Sequence, residues 1–179
     1  MRLRIHEFGG HDEIGNGYFE SNENPRISVT VVHTTNEGTL AALKAAAALA
    51  SNLDVRLGLI MPEVVPFRLP IEQPRRSVDF LKQLQESLVA EAGLASEEIL
   101  VQICVCRDTR ETLGRLLPAP SLVVLGGRRG WWPSREQRLE TFLSRLGHHV
   151  VFVDLAAEKP AAESGSSAGN RFSAQPSIR

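Results

Sequence analysis

The chain has 179 residues, 42% of them hydrophobic, and a formal net charge of -1. That length holds one ordinary domain with tails, and that composition excludes wholesale disorder. The near-neutral charge excludes a dedicated nucleic-acid binder, no apolar run reaches bilayer-spanning length, and residues 1–8 lack the apolar stretch of a secretory signal.

In chain order, residues 1–26 are polar and punctuated by Gly9-Gly10, Gly15-Asn-Gly17 and Asn22-Glu-Asn-Pro25, and read as an extended lead-in with room for a short strand over 2–7. Ile27-Ser-Val-Thr-Val-Val32 is the first clear strand. Thr34-Thr-Asn-Glu37 then reads as a capping box for a helix running to about Ser51, with Leu40, Leu43 and Ala47 inward. The alanines at 45–48 predict close approach of that helix to a sheet. A second strand is expected over 54–61, ended by a rigid loop because Pro62, Pro66, Pro70 and Pro74 deny ladder bonds and helix continuation.

Ser77 should cap a second helix (Leu81, Leu84 and Leu88 on one face), with Gly93 just past its end. Residues 98–106 alternate as a third strand, and Asp108-Thr-Arg-Glu111 opens a short helix that Pro118 and Pro120 stop. Cys104 and Cys106 stand two apart on that strand and share one face. Positions that close suit neither a disulfide nor, without further ligands, a metal, so they read as small apolar core residues. A reducing cytoplasm is the compartment expected.

Ser121-Leu-Val-Val-Leu-Gly-Gly-Arg-Arg-Gly-Trp-Trp-Pro-Ser134 is the most informative stretch: a short apolar strand breaks into a glycine- and arginine-rich loop ahead of a helix. Backbone N–H groups, a helix N-terminus and positive charge then meet in one place, which suits a phosphate. Ser134-Arg-Glu-Gln137 caps the fourth helix, which Gly147 ends, and Val150-Val-Phe-Val153 is strand five. Beyond Asp154 the chain turns to Ala, Ser, Gly and Pro, and 155–179 is expected to be disordered. Alternating strands and helices predict an α/β fold, an open five-stranded parallel sheet with helices on both faces, over residues 27–154.

Val31-Val-His-Thr-Thr-Asn-Glu-Gly-Thr-Leu-Ala-Ala-Leu-Lys-Ala-Ala-Ala-Ala-Leu-Ala50, and Leu122-Val-Val-Leu-Gly-Gly-Arg-Arg-Gly130 through to Val153, resemble the first strand and helix and the C-terminal half of the universal stress protein (UspA-like) family. The resemblance implies a strand order of 3-2-1-4-5, which puts the ends of strands one and four at a topological switch point. His33, Thr34 and Thr35 would line one side of it, and residues 126–130 the other. Nucleotide-binding members carry an Asp at the end of strand one and a motif Gly, two residues, Gly, nine residues, Gly-Ser or Gly-Thr. Here Thr34 stands where the Asp is expected, Gly127-Arg-Arg-Gly130 supplies the first half of the motif, and Glu140-Thr141 or Glu136-Gln137 replaces the third glycine.

The candidate ligand residues are therefore Thr34, Gly126, Gly127, Arg128, Arg129, Gly130 and Ser134, with the two arginines either gripping a phosphate or pairing with Glu136 or Glu140. Trp131-Trp132 reads as a hydrophobic cover over the cleft or an interface anchor. His33 reads as structural. His148 and His149 should lie on the opposite sheet edge from Cys104 and Cys106, so no shared metal site is expected. No nucleophile elbow, paired carboxylates or His-Glu-x-x-His pattern appears, so no catalytic residues are assigned.

Strand five, with Val150, Val151, Phe152 and Val153, is expected at a sheet edge and, as the resemblance implies, pairs with the same strand of a second copy. The reading is a non-enzymatic, dimeric, cytoplasmic stress-response protein with a degenerate nucleotide site, requiring no cofactor and acting through an unidentified protein partner. One alternative is a switch that takes ATP or AMP, with Mg²⁺, weakly at the Gly-x-x-Gly loop. Another is a regulatory partner of a membrane transporter.

Overall fold

The computed structural model describes residues 2–7, 28–72, 74, 76–95 and 99–157. Strand β1 (Arg2–Glu7) precedes β2 (Ser28–Val32), α1 (Asn36–Leu53), β3 (Arg56–Val64), α2 (Val78–Glu91), β4 (Ile99–Cys106), α3 (Thr109–Leu116), β5 (Leu122–Gly127), α4 (Arg135–Arg145) and β6 (His149–Asp154). All strands pair in parallel in one sheet of order β1-β4-β3-β2-β5-β6.

The sheet thus has six strands where five were expected. The five strands read from the sequence keep their expected succession, and β1 adds outside them against β4 with Arg4 opposite Gln102. This corrects one inference about edges. The cysteines on β4 lie in an interior strand, and only β6 of the pair compared is an edge. The C-terminal stretch from residue 158 lies outside the described residues.

Two apolar layers enclose the sheet. On one face Ala42, Leu43 and Ala46 of α1 and Leu81, Leu88 and Val89 of α2 pack on Val29, Val31, Leu59, Val101 and Val124. On the other, Leu113 and Leu116 of α3 and Leu139 and Leu143 of α4 pack on Val32, Ile60, Cys104, Val123 and Leu125. Because successive strand residues face opposite ways, a strand covered on both sides must be apolar on both, as Leu122–Leu125 of β5 are; β2 is apolar at Val29, Val31 and Val32 and buries Thr30 between them.

Local signals held where chemistry is local. Ser77 caps α2 by accepting from the N–H of Phe80, and Ser134 and Gln137 form a reciprocal capping box on α4. Gly93 and Gly147 carry the positive φ that ends α2 and α4. Two expectations fail. Strand β3 continues through Pro62 to Val64, because β2 has already ended at that level: its last partner is Ile60, whose carbonyl accepts from the N–H of His33. Residues two apart present their N–H groups to the same neighbour, so the N–H that Pro62 lacks would have faced a position with no strand. The box at Thr34–Glu37 also does not form: Thr35 is the N-cap, accepting from the N–H of Gly38, and Glu37 reaches Arg128 instead.

Candidate functional site at the carboxyl ends of the central strands

Strands β2 and β5 are neighbours whose crossovers leave in opposite directions, so their carboxyl ends form the switch point. From the β2 side comes Thr34. Its hydroxyl is free of capping duty and donates to the carbonyl of Gly126 at 2.7 Å. From the helix comes Gly38, whose backbone lies directly on that of Gly126. A Cβ at Gly38 would stand 2.4 Å from the Gly126 carbonyl oxygen, and one at Gly126 would stand 1.9 Å from the Gly38 oxygen. No side chain fits there, and the first turn of α1 closes over the end of β5.

The next glycine is also a packing residue, since a Cβ at Gly127 would meet the Glu136 side chain at 3.0 Å. Gly127 accepts from the N–H of Leu155, and the N–H of Arg129 donates to Asp154 Oδ1 at 3.2 Å, which stitch the loop to the end of β6. The N–H groups of Ala156 and then Arg129 hold the Asp154 carboxyl below its ordinary range. The Arg129 guanidinium stacks on the Phe152 ring, 4.5 Å from its centroid, and binds Glu140 at 2.9 Å. Arg128 lies 3.4 Å from Glu37, with both side chains in solvent. Ser134 is occupied by its capping box. Gly130 is open, with only the Trp132 carbonyl oxygen near a built Cβ, at 3.6 Å.

Thr34, Gly126 and Gly127 are thus brought into one contact network. Arg128, Arg129 and Gly130 lie beyond it on the surface, and Ser134 serves the helix. The two indoles do not cover the cleft: Trp131 is 95% and Trp132 81% exposed. Val150, Val151, Phe152 and Val153 lie on β6, the edge strand next to β5, with Val151 the exposed one of the four.

Beside the junction, His33 is buried and its Nδ1 lies 2.9 Å from the Thr39 hydroxyl, which also accepts from the N–H of Thr34 at 3.2 Å. That hydroxyl can donate its proton to Nδ1 or accept a second hydrogen bond from it, according to the tautomer of the ring. Burial first, and the nearby Arg76 charge second, lower the imidazole to about 4. Glu63, buried near the end of β3, accepts from Arg76 Nε at 2.7 Å and pairs with Nη2 at 2.6 Å through the same oxygen. The Arg107 guanidinium holds the loop after β3 by donating to the carbonyls of Val65, Pro66 and Leu69.

Burial pushes the Cys104 thiol up to about 12, with Cys106 adding to the effect, and burial also raises Cys106. Both cysteines are free, and among the described residues no group of three or more His, Cys, Asp or Glu side chains could hold a metal.

Reasoning from sequence missed Gly38, Thr39, the Glu63–Arg76 pair and Arg107. Gly38 alone left a usable signal, since glycine in the first turn of an otherwise alanine-rich helix lowers helix stability unless something must come close. Glu63 sits in a proline-rich run, and nothing local marks it as buried.

No protein-family model and no curated sequence matches the chain. Among solved structures it is similar to a universal stress protein in complex with cAMP, at 14% identity and a TM-score of 0.44, over 72% of this chain and 97% of that one. It is similar also to universal stress protein UspA from Lactobacillus plantarum (12% identity, TM-score 0.44, 73% of this chain and 99% of that one). A macrolide-efflux protein from Streptococcus pneumoniae is similar at 13% identity and TM-score 0.44, over 84% of this chain and 49% of that one. Likenesses of this strength decide nothing about a ligand or partner of this chain.

Proposed function

We propose that this chain is a non-enzymatic, universal stress protein-like regulatory domain whose nucleotide crevice is closed by its own backbone, and which works through protein contacts. The observation that carries this reading is the Gly38–Gly126 junction, sealed by the Thr34 hydroxyl on the Gly126 carbonyl. A phosphate cradle needs outward-facing N–H groups and unengaged cations at the loop. Here the first glycines pack against α1 and α4, and Arg129 is stacked and ion-paired.

Isothermal titration with ATP and AMP, with and without Mg²⁺, should show no saturable binding below millimolar concentrations. Submillimolar binding that Arg128→Ala and Arg129→Ala abolish would instead establish the nucleotide switch. That second reading has one observation in its favour: Arg128 and Gly130 lie open at the loop.

The outer edge of β6 supplies the contact. Among the described residues it pairs only with β5, and Val151 of this strand carries an exposed apolar side chain. An unpaired, short apolar edge invites a second copy. Light scattering should give the mass of a dimer, and Val151→Lys should shift it to monomer. A wild-type chain that runs as a monomer at all concentrations would remove the dimer from the proposal.

A further inference from the structure

Parallel strands all release their connecting segments from one end, so the loops after β3 and β5 leave the sheet together. Strands β3 and β5 flank β2, about 10 Å apart at two strand spacings. The loop after β3 presents Phe67, 85% exposed, together with exposed Leu69. The loop after β5 presents Trp131 and Trp132 in an unbroken exposed run from 128 to 133. Exposed Val64 at the end of β3 and Phe80 in the first turn of α2 belong to the same end. Six of the ten exposed large apolar side chains among the described residues therefore gather at this pole.

We propose that this pole docks on a lipid surface bearing anionic headgroups, inserting Phe67 from one loop and Trp131 and Trp132 from the other. The contact goes beyond the proposed function, which uses the β6 edge and leaves this pole free.

Three features favour a lipid interface over a protein partner. The aromatic groups are those that settle at the headgroup level, an apolar body with, for the indoles, a polar N–H. Beside each set of aromatics stands a cation with no carboxylate partner among the described residues: Arg68 next to Phe67, and Arg135 at the start of α4 close after Trp132, with Arg138 one turn on. Anionic headgroups supply the missing counter-charge. Finally, the indoles stand almost wholly in solvent, where they can enter a headgroup layer without rearrangement of the fold. A headgroup layer requires no pre-formed pocket.

The loop after β3 is also held in place. Arg107 pins three carbonyls of the first loop and lies 5.5 Å from the Phe67 ring centroid, which fixes that aromatic outward. No helix among the described residues is long and apolar enough to cross a membrane, so the contact is interfacial and reversible.

Trp131 and Trp132 are the only tryptophans in the chain, so intrinsic fluorescence reads the contact directly. With phosphatidylcholine–phosphatidylserine vesicles, emission should shift to the blue and the protein should float with the lipid, more weakly on phosphatidylcholine alone. Trp131→Ala with Trp132→Ala should lower co-flotation at least tenfold, with the far-UV circular dichroism unchanged. Phe67→Ser should reduce the blue shift several-fold, and Arg68→Gln with Arg135→Gln should cost about fivefold per arginine on anionic vesicles.

No shift and no flotation at millimolar lipid would overturn the proposal. So would a blue shift without lipid that grows with protein concentration, which would make the pole an interface between copies. Binding unchanged by Phe67→Ser would overturn the two-loop footprint. Lipid-independent quenching protection by an acidic protein would assign the pole to that partner instead.

Discussion

The two halves of the loop after β5 share a glycine-arginine composition but meet opposite surroundings. Gly126 and Gly127 are buried, a methyl group at the first striking the Gly38 backbone and one at the second pressing on the Glu136 side chain, whereas the run from 128 to 133 is exposed and Gly130 has space beside it. Glycine in the first half serves close packing of helices on a strand end. In the second half it serves only an open turn. The difference teaches that a glycine-rich loop can be kept for how closely two backbones approach rather than for what anion it holds.

The largest effect should come from breaking the closed half. Gly126→Ala drives a Cβ into the Gly38 carbonyl, and Gly38→Ala does the converse. Backbone on both sides cannot yield as a side chain end would, so each should cost about 3 kcal/mol or more, measured as a fall in the urea midpoint. Near-wild-type stability of Gly126→Ala would show that the junction is looser than described.

Next comes the imidazole beside the junction. His33 is held at about 4 in the fold against an ordinary 6.5, by burial and then by Arg76. The unfolded chain therefore takes up the proton first as pH falls. The contribution to stability is fully present above about 6.5 and is lost progressively down to about 4, a fall on the order of 3 kcal/mol. His33→Gln should flatten that part of the pH dependence, as read by denaturant melts at several pH values. An unchanged slope would mean the ring is more hydrated than its burial indicates.

Thr34→Val keeps the shape at the junction but leaves the Gly126 carbonyl without its hydroxyl donor. A loss of about 1–2 kcal/mol is expected, with no change in the denaturant slope. The open half should answer least. Arg128→Ala removes a solvent-exposed pair at 3.4 Å, and Gly130→Ala makes only an ordinary contact, with the Trp132 carbonyl oxygen at 3.6 Å. Both should lie within about 0.5 kcal/mol of wild type by thermal melting. A larger effect from Arg128→Ala would break the distinction between the two halves.

Much of the architecture was legible because it depends on patterns a few residues long. The alternating valines of β2, the apolar run of β5, the alanines of α1, and the caps at Ser77 and Ser134 each carry their reason in neighbouring residues. The site was legible only in part. Thr34 and Gly126 could be placed at one switch point from the strand order that the resemblance implies, but that they bond each other could not, because two residues 92 positions apart leave no local trace of the contact. Thr34 also looked like a cap, and on local grounds it is as good a cap as Thr35. The tertiary bond to Gly126 decided between them.

By itself, then, the sequence determined the alternation of strands and helices, the parallel sheet they imply and a cysteine pair buried as thiols, while the succession of the central strands came from the resemblance. Periodicity and capping are short-range, so a single chain states them directly. Only the tertiary structure decided that β1 lengthens the sheet beside β4, that Pro62 can stay in a strand, that the Gly38 and Gly126 backbones meet and that both tryptophans face solvent. Each of those depends on what another part of the chain leaves beside the residue: a missing neighbour at Pro62, an opposing backbone at Gly126, and nothing at all around the indoles.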